Sequence, residues 1–135
     1  RGGDELNRPE AGKNYGWPII TYGRDYSGAK IGEGTSKAGL EQPVYYWDPS
    51  IATSGLAIYS GELFPSWKGN LLVGGLAGAR LARLVVERGI VVAEEKLLGD
   101  RGDRIRDVRQ GPDGAVYVLT DEARGELLRI APRKK

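Results

Sequence analysis

From Pro43 to Ile130 the chain is a succession of short runs rich in Val, Leu, Ile and Tyr, each closed within a few residues by glycine, proline or aspartate. With 21 glycines and one phenylalanine in 135 residues, long helices are interrupted and positive-φ turn positions are plentiful. This punctuation predicts an all-β protein with strands over residues 43–47, 54–59, 70–75, 79–87, 90–97, 105–109, 115–119 and 126–130. Residues 14–22 also read as strand-like around the Trp17-Pro18 break, while 1–13 and 23–42 read as loops. Arg88-Gly89 is a two-residue hairpin signal. In Pro112-Asp113-Gly114 the proline presets φ and the glycine accepts a positive value. Helix competes over residues 76–88, but Val85 and Val86 are β-branched and Ile90-Val91-Val92 resumes the same pattern beyond Gly89. Residues 54–98 then hold four antiparallel strands in about 45 residues, the size of one propeller blade. Residues 99–132 repeat the theme with three.

Composition excludes several functions. Twenty basic against eighteen acidic residues give a net charge of +2, too balanced and too scattered for a nucleic-acid surface. The closing Arg133-Lys134-Lys135 reads as a solvated tail. No cysteine is present, which removes disulfides, thiolate metal sites and a cysteine nucleophile. No histidine is present either, so the commonest general base and transition-metal ligand are missing. A metal would have to be held by carboxylates, carbonyls and water, which favours calcium or magnesium. No apolar run approaches the length of a membrane span. Arg1 is not a methionine, so the chain reads as a fragment or processed form whose targeting is not legible.

The stretch richest in chemistry is Gly99 to Arg109, with four arginines and three aspartates in eleven residues. In an extended strand Arg104 and Arg106 project to one face while Ile105 and Asp107 point to the other. Two guanidiniums side by side suit a flat ligand bearing carboxylates. The competing reading is structural pairing with Asp100, Asp103 and Asp107. Arg101-Gly102-Asp103 spells an adhesion tripeptide, and Gly74-Gly75-Leu76-Ala77-Gly78 superficially suggests a nucleotide loop; neither has the context that would make it a site. Trp17, Trp47 and Trp67 read as blade-core anchors.

Several of these segments resemble the C-terminal portion of the soluble, pyrroloquinoline-quinone (PQQ)-dependent aldose sugar dehydrogenases, the glucose/sorbosone dehydrogenase family. They are Arg1-Gly2-Gly3-Asp4-Glu5-Leu6-Asn7, Lys13-Asn14-Tyr15-Gly16-Trp17-Pro18, Tyr26-Ser27-Gly28, Gly61-Glu62-Leu63-Phe64-Pro65-Ser66-Trp67, the Asp100 to Arg109 run and Gly111-Pro112-Asp113-Gly114 through Ile130. The resemblance implies part of a six-bladed β-propeller about two and a half times this length, of which the chain would supply two to three blades. In that reading residues 1–53 carry calcium and cofactor loops with a partial blade, 54–98 one blade, and 99–132 the last blade, lacking one strand.

The resemblance also implies roles. Glu5 and Tyr15 fall on calcium positions, the former by carboxylate and the latter by its carbonyl. Tyr26, Arg104, Ile105 and Arg106 fall on positions lining the quinone. Ala77 stands where relatives place a lysine against it. The family's catalytic histidine comes from an earlier blade, and the carbonyl pair completing its cofactor-bound calcium lies just upstream of the segment matching Arg1. The implied activity is oxidation of aldose sugars at the anomeric carbon, with an external electron acceptor, in a periplasmic or secreted protein. Tyr46 and Trp47 either border the sugar or pack in the blade. The alternatives are a non-enzymatic propeller module binding a protein or carbohydrate, and a repeat unit completing its ring as an oligomer.

Overall fold

The computed structural model describes residues 1–133; Lys134 and Lys135 of the basic tail lie outside the described residues. Two compact units divide the chain, Arg1–Ile51 and the remainder from Ala52.

In the first unit β1 (Asp4–Leu6) pairs antiparallel with β2 (Tyr45–Trp47), Glu5 opposite Tyr46. β1 lies inside the stretch expected to be loop. Its Asp-Glu-Leu has no apolar alternation, and pairing with the aromatic β2 makes it a strand. The expected strand over 14–22 does not form. The Ile19 and Ile20 amides both donate to the Gly16 carbonyl, at 2.7 and 3.0 Å, turning the chain about Pro18. Residues 23–42 are loop as expected, with isolated bridges Ile20 to Gly34 and Arg24 to Lys30. Trp17 is 68 % exposed, so it is not the core anchor expected of it.

The second unit holds two antiparallel sheets. Strands β3 (Thr53–Ile58), β4 (Leu71–Gly75), β5 (Arg80–Glu87) and β6 (Ile90–Leu97) are neighbours in chain order, and β7 (Ile105–Gln110), β8 (Val116–Thr120) and β9 (Leu127–Ile130) form a three-stranded sheet. The segment contested by helix is β5. It turns into β6 through Arg88 and Gly89 at φ 52° and 78°, the paired positive values of a tight hairpin. A single 3₁₀ turn, Pro65–Trp67, sits between β3 and β4. Among the described residues no helix is long and apolar enough to cross a membrane.

Leu72, Leu81, Ile105, Val108, Val116 and Val118 meet in one core with Tyr59. The sheets approach closely because β3 and β4 carry glycine at the contact. A Cβ on Gly55 would lie 2.3 Å from Asp107 Oδ1 and 2.8 Å from the Val108 nitrogen, and one on Gly74 3.0 Å from Ile105 Cγ2. Tyr59, 1 % exposed, donates its hydroxyl to the Gly114 carbonyl at 2.7 Å and accepts the Phe64 amide at 3.1 Å. It therefore ties the end of β3 to the β7–β8 turn. Trp67 does pack against this core, stacked on Phe64 with centroids 4.0 Å apart, and the Arg83 guanidinium lies 5.1 Å from its ring.

Candidate functional site

In the first unit a cleft of about 350 Å³ is lined by Asp4, Glu5, Tyr15, Trp17, Arg24 and Tyr26, among others. Three residues singled out in the sequence, Glu5, Tyr15 and Tyr26, thus share one recess. β1 brings Asp4 and Glu5 to it. Asp4 is fixed through Oδ2, which accepts Ser50 Oγ at 2.6 Å and the Ile51 amide at 3.0 Å. Glu5 Oε2 accepts Asn7 Nδ2 at 3.0 Å. The Tyr15 hydroxyl donates to the Arg8 carbonyl at 2.6 Å and accepts the Glu10 amide at 2.8 Å. With that hydroxyl engaged, the main-chain carbonyl is the oxygen Tyr15 has left for a cation.

Tyr26 stands on a turn built by its neighbours. Asp25 Oδ1 accepts the Ser27 amide at 2.9 Å and its hydroxyl at 2.7 Å, and the Gly28 amide donates to the Asp25 carbonyl at 2.9 Å. The Ser27 hydroxyl and amide hold the Asp25 carboxyl below its ordinary range. The phenol it presents is 88 % exposed, a placement that suits ring stacking on a planar ligand. Tyr46 is half-exposed but has one face covered by Tyr22, centroids 3.8 Å apart. Trp47 is buried, edge-on to Tyr45, and its indole Nε1 has no hydrogen-bond partner among the described residues.

In the second unit the predicted cofactor residues gather at one end of the two sheets, where β3 and β7 begin and β4 and β8 finish. Ser54 Oγ donates to the Ile105 carbonyl at 2.7 Å there. Ile105 itself is 1 % exposed and belongs to the core, so it spaces the arginines and offers a ligand no side chain. Ala77 is exposed in the β4–β5 turn and brings no charge. Arg104 and Arg106 converge, although β7 is irregular between Ile105 and Asp107 and does not alternate strictly, and their partner is none of the three nearby aspartates. Arg106 Nη2 donates to Asp121 Oδ2 at 2.9 Å, and Arg104 Nη2 and Nε donate to the same oxygen at 3.3 Å. Of the three aspartates, Asp103 pairs with Arg101 and Asp107 with Arg109.

Asp121 is the residue sequence reasoning missed. The register fixed at the Pro112-Asp113-Gly114 turn, with Asp107 opposite Leu119, leads to Glu122 opposite Arg104; an irregularity between Ile105 and Asp107 shifts the pairing by one, so that Ile105 faces Thr120 and Asp121 comes opposite Arg104. The Asp121 amide completes that pair by donating to the Arg104 carbonyl at 2.7 Å.

The hydrogen bond from Arg106, reinforced by Arg104, holds the Asp121 carboxyl below the usual carboxylate range. Arg129 does the same to Asp113 through bonds of 2.7 and 3.0 Å. A carboxyl whose folded pKa is depressed contributes stability above its unfolded value, about 3.9, and loses it as pH falls through the folded value. Asp113→Asn, which keeps the turn, is therefore expected to lower the melting temperature at pH 7. That difference from the parent protein should shrink as pH falls below the unfolded value and through the lower folded one; a Tm series into the acid range at low salt checks it.

Oxygen donors at Glu5 and Tyr15 suit a hard cation, which takes about six to eight oxygens. Among the described residues no cluster of three or more acidic side chains converges. Two half-exposed guanidiniums fit the carboxylates of a planar acid.

Antiparallel sheets packed face to face in succession, with the candidate ligand groups at one end of their strands, define consecutive blades of a β-propeller. Residues 1–129 match the Glucose / Sorbosone dehydrogenase family, and the chain belongs to it. It is 53 % identical over 135 residues to the aldose sugar dehydrogenase YliI of Escherichia coli K12, covering 98 % of this chain and 36 % of that protein. A glucose dehydrogenase crystal structure superposes with a TM-score of 0.95 at 55 % identity, over 98 % of this chain and 39 % of that one. The PQQ-bound aldose sugar dehydrogenase from Streptomyces coelicolor gives a TM-score of 0.62 at 25 % identity, over 96 % and 37 %. The chain thus spans little more than a third of the length of these relatives.

Proposed function

We propose that the full-length protein carrying this chain oxidises aldose sugars at the anomeric carbon with PQQ as its quinone, and that this chain supplies the arginine side of the quinone pocket and part of a calcium loop. The observation that carries the reading is the pair of accessible guanidiniums held side by side at one end of the sheets. Bound PQQ supplies the two-electron acceptor. Arg104 and Arg106 bind and orient its carboxylates by charge-assisted hydrogen bonds. Glu5 and the Tyr15 carbonyl hold calcium. The base that takes the sugar proton is not a histidine of this chain, which has none, and comes from the rest of the protein. Of the two aromatic residues placed near the sugar, Tyr46 has the accessible ring.

The same reading takes residues 54–98 as one blade and 99–132 as the last, with a fourth strand added from outside this chain. The exposed Leu119 and Leu127, paired across β8 and β9, leave apolar surface on the face of this sheet for a neighbouring blade. Export to the periplasm or beyond belongs to this reading. Ala77, which lacks the charge that family resemblance places at its position, favours the alternative of a non-enzymatic propeller. The test is dye-linked aldose oxidation by the full-length apoprotein with PQQ, calcium, both or neither. Turnover is expected only with PQQ present and to be strongest with both; no turnover with both overturns the enzymatic reading.

A further inference from the structure

We propose that Asp121 is a positioning residue that holds Arg104 and Arg106 parallel, so that an incoming polycarboxylate meets a preformed fork. The inference rests on the quinone reading above and adds a residue that the reading did not use. Two guanidiniums on alternate positions of a strand repel one another and, left alone, would splay into solvent through their many rotamers. Here a single carboxylate oxygen accepts from both, at 2.9 Å from Arg106 and 3.3 Å from Arg104. That carboxylate is itself fixed. Its residue closes the β7–β8 ladder by donating its amide to Arg104, and the Arg104 amide donates to Glu122 Oε1 at 3.3 Å. The two ends of the fork are thus pinned to each other through the backbone and through the side chain.

The guanidiniums stay open to an incoming anion: each is about half exposed, while Asp121 is one-third exposed. A ligand carboxylate therefore meets the open edges of arginines whose mutual spacing is already set, which lowers the ordering cost of binding. Stability alone gives this arrangement little reason, because exposed ion pairs contribute almost nothing to folding.

The test uses the full-length protein, apo with calcium, titrated with PQQ and followed by quenching of protein fluorescence. Asp121→Ala is expected to weaken PQQ binding by about tenfold or more. Asp121→Asn keeps an acceptor oxygen in the same place and should fall between alanine and the parent protein. At saturating PQQ the KM for the sugar should be unchanged in both, a split that general loosening of the blade would not produce. Should the alanine variant fail to fold, the asparagine variant carries the measurement. Affinity unchanged or improved on losing the carboxylate overturns the proposal, since Asp121 would then merely compete with the ligand for the arginines. If the unmutated protein itself does not bind PQQ, the quinone reading falls and this inference with it.

Discussion

Full-length protein carrying Arg104→Ala together with Arg106→Ala is expected to lose PQQ affinity by a factor of about 10² to 10⁴. Each guanidinium donates charge-assisted bonds worth roughly 1.5–3 kcal/mol. Losing two such contacts costs about 3–6 kcal/mol, at about 1.4 kcal/mol for each tenfold. The melting temperature of the apoprotein should move little, because the pairs with Asp121 are solvent-exposed. Single Arg→Lys changes should fall between, since an ammonium keeps the charge and loses the fork. Raised salt should weaken binding in the parent protein more than in the double variant, where the screened contacts are already gone. Fluorescence titration at two salt concentrations and a thermal melt on the same preparations check all four; PQQ affinity that survives the double substitution would remove the arginines from the site.

Strands were legible wherever a short β-branched run met a residue that forces a turn. β6 was readable to the residue because Arg88-Gly89 fixes its start. β7 and β8 flank the proline–glycine turn that sequence chemistry dictates. β1 was illegible because Asp4-Glu5-Leu6 becomes extended only by pairing with a strand some forty residues away, and no local pattern records that. Residues 14–22 failed for the opposite reason. Their apolar content suggested a strand, while the amides of Ile19 and Ile20 turn back onto Gly16. Trp17 followed the same error, since an indole was assumed to need burial.

The site divides along the same line. The Arg104–Arg106 face was suggested by strand periodicity, which an irregularity between Ile105 and Asp107 interrupts, and Tyr15 and Tyr26 could be placed only by resemblance; the cleft they share with Glu5 is a product of the fold. Asp121 required one step more. The register set by the turn points to Glu122, and only the irregularity between Ile105 and Asp107 brings Asp121 opposite Arg104. Arg24, on the wall of the cleft, was hidden inside a loop whose only periodic feature is its glycine content.

Tyr59 provides the complementary loss, of stability without affinity. Its side chain is fully buried among Leu72, Leu81 and the valines of β7 and β8, and its hydroxyl serves Gly114 and Phe64 at once. Tyr59→Ala removes the packed ring, a change that costs about 3–5 kcal/mol in cores of this kind. It also strands a carbonyl and an amide that had shared one hydroxyl. Tyr59→Phe keeps the ring and loses only those bonds, for about 1–3 kcal/mol. The order parent, phenylalanine, alanine is therefore expected in urea unfolding of the full-length protein. The tie lies at the Gly114 end of the β7–β8 hairpin, whereas Arg104 and Asp121 lie at the other end. Under conditions where the phenylalanine variant remains folded, its PQQ affinity should match the parent protein within about twofold, as expected for distant sites that do not share partners. A phenylalanine variant that loses affinity in step with stability would mean the fork depends on the whole hairpin and not on its own counter-ion.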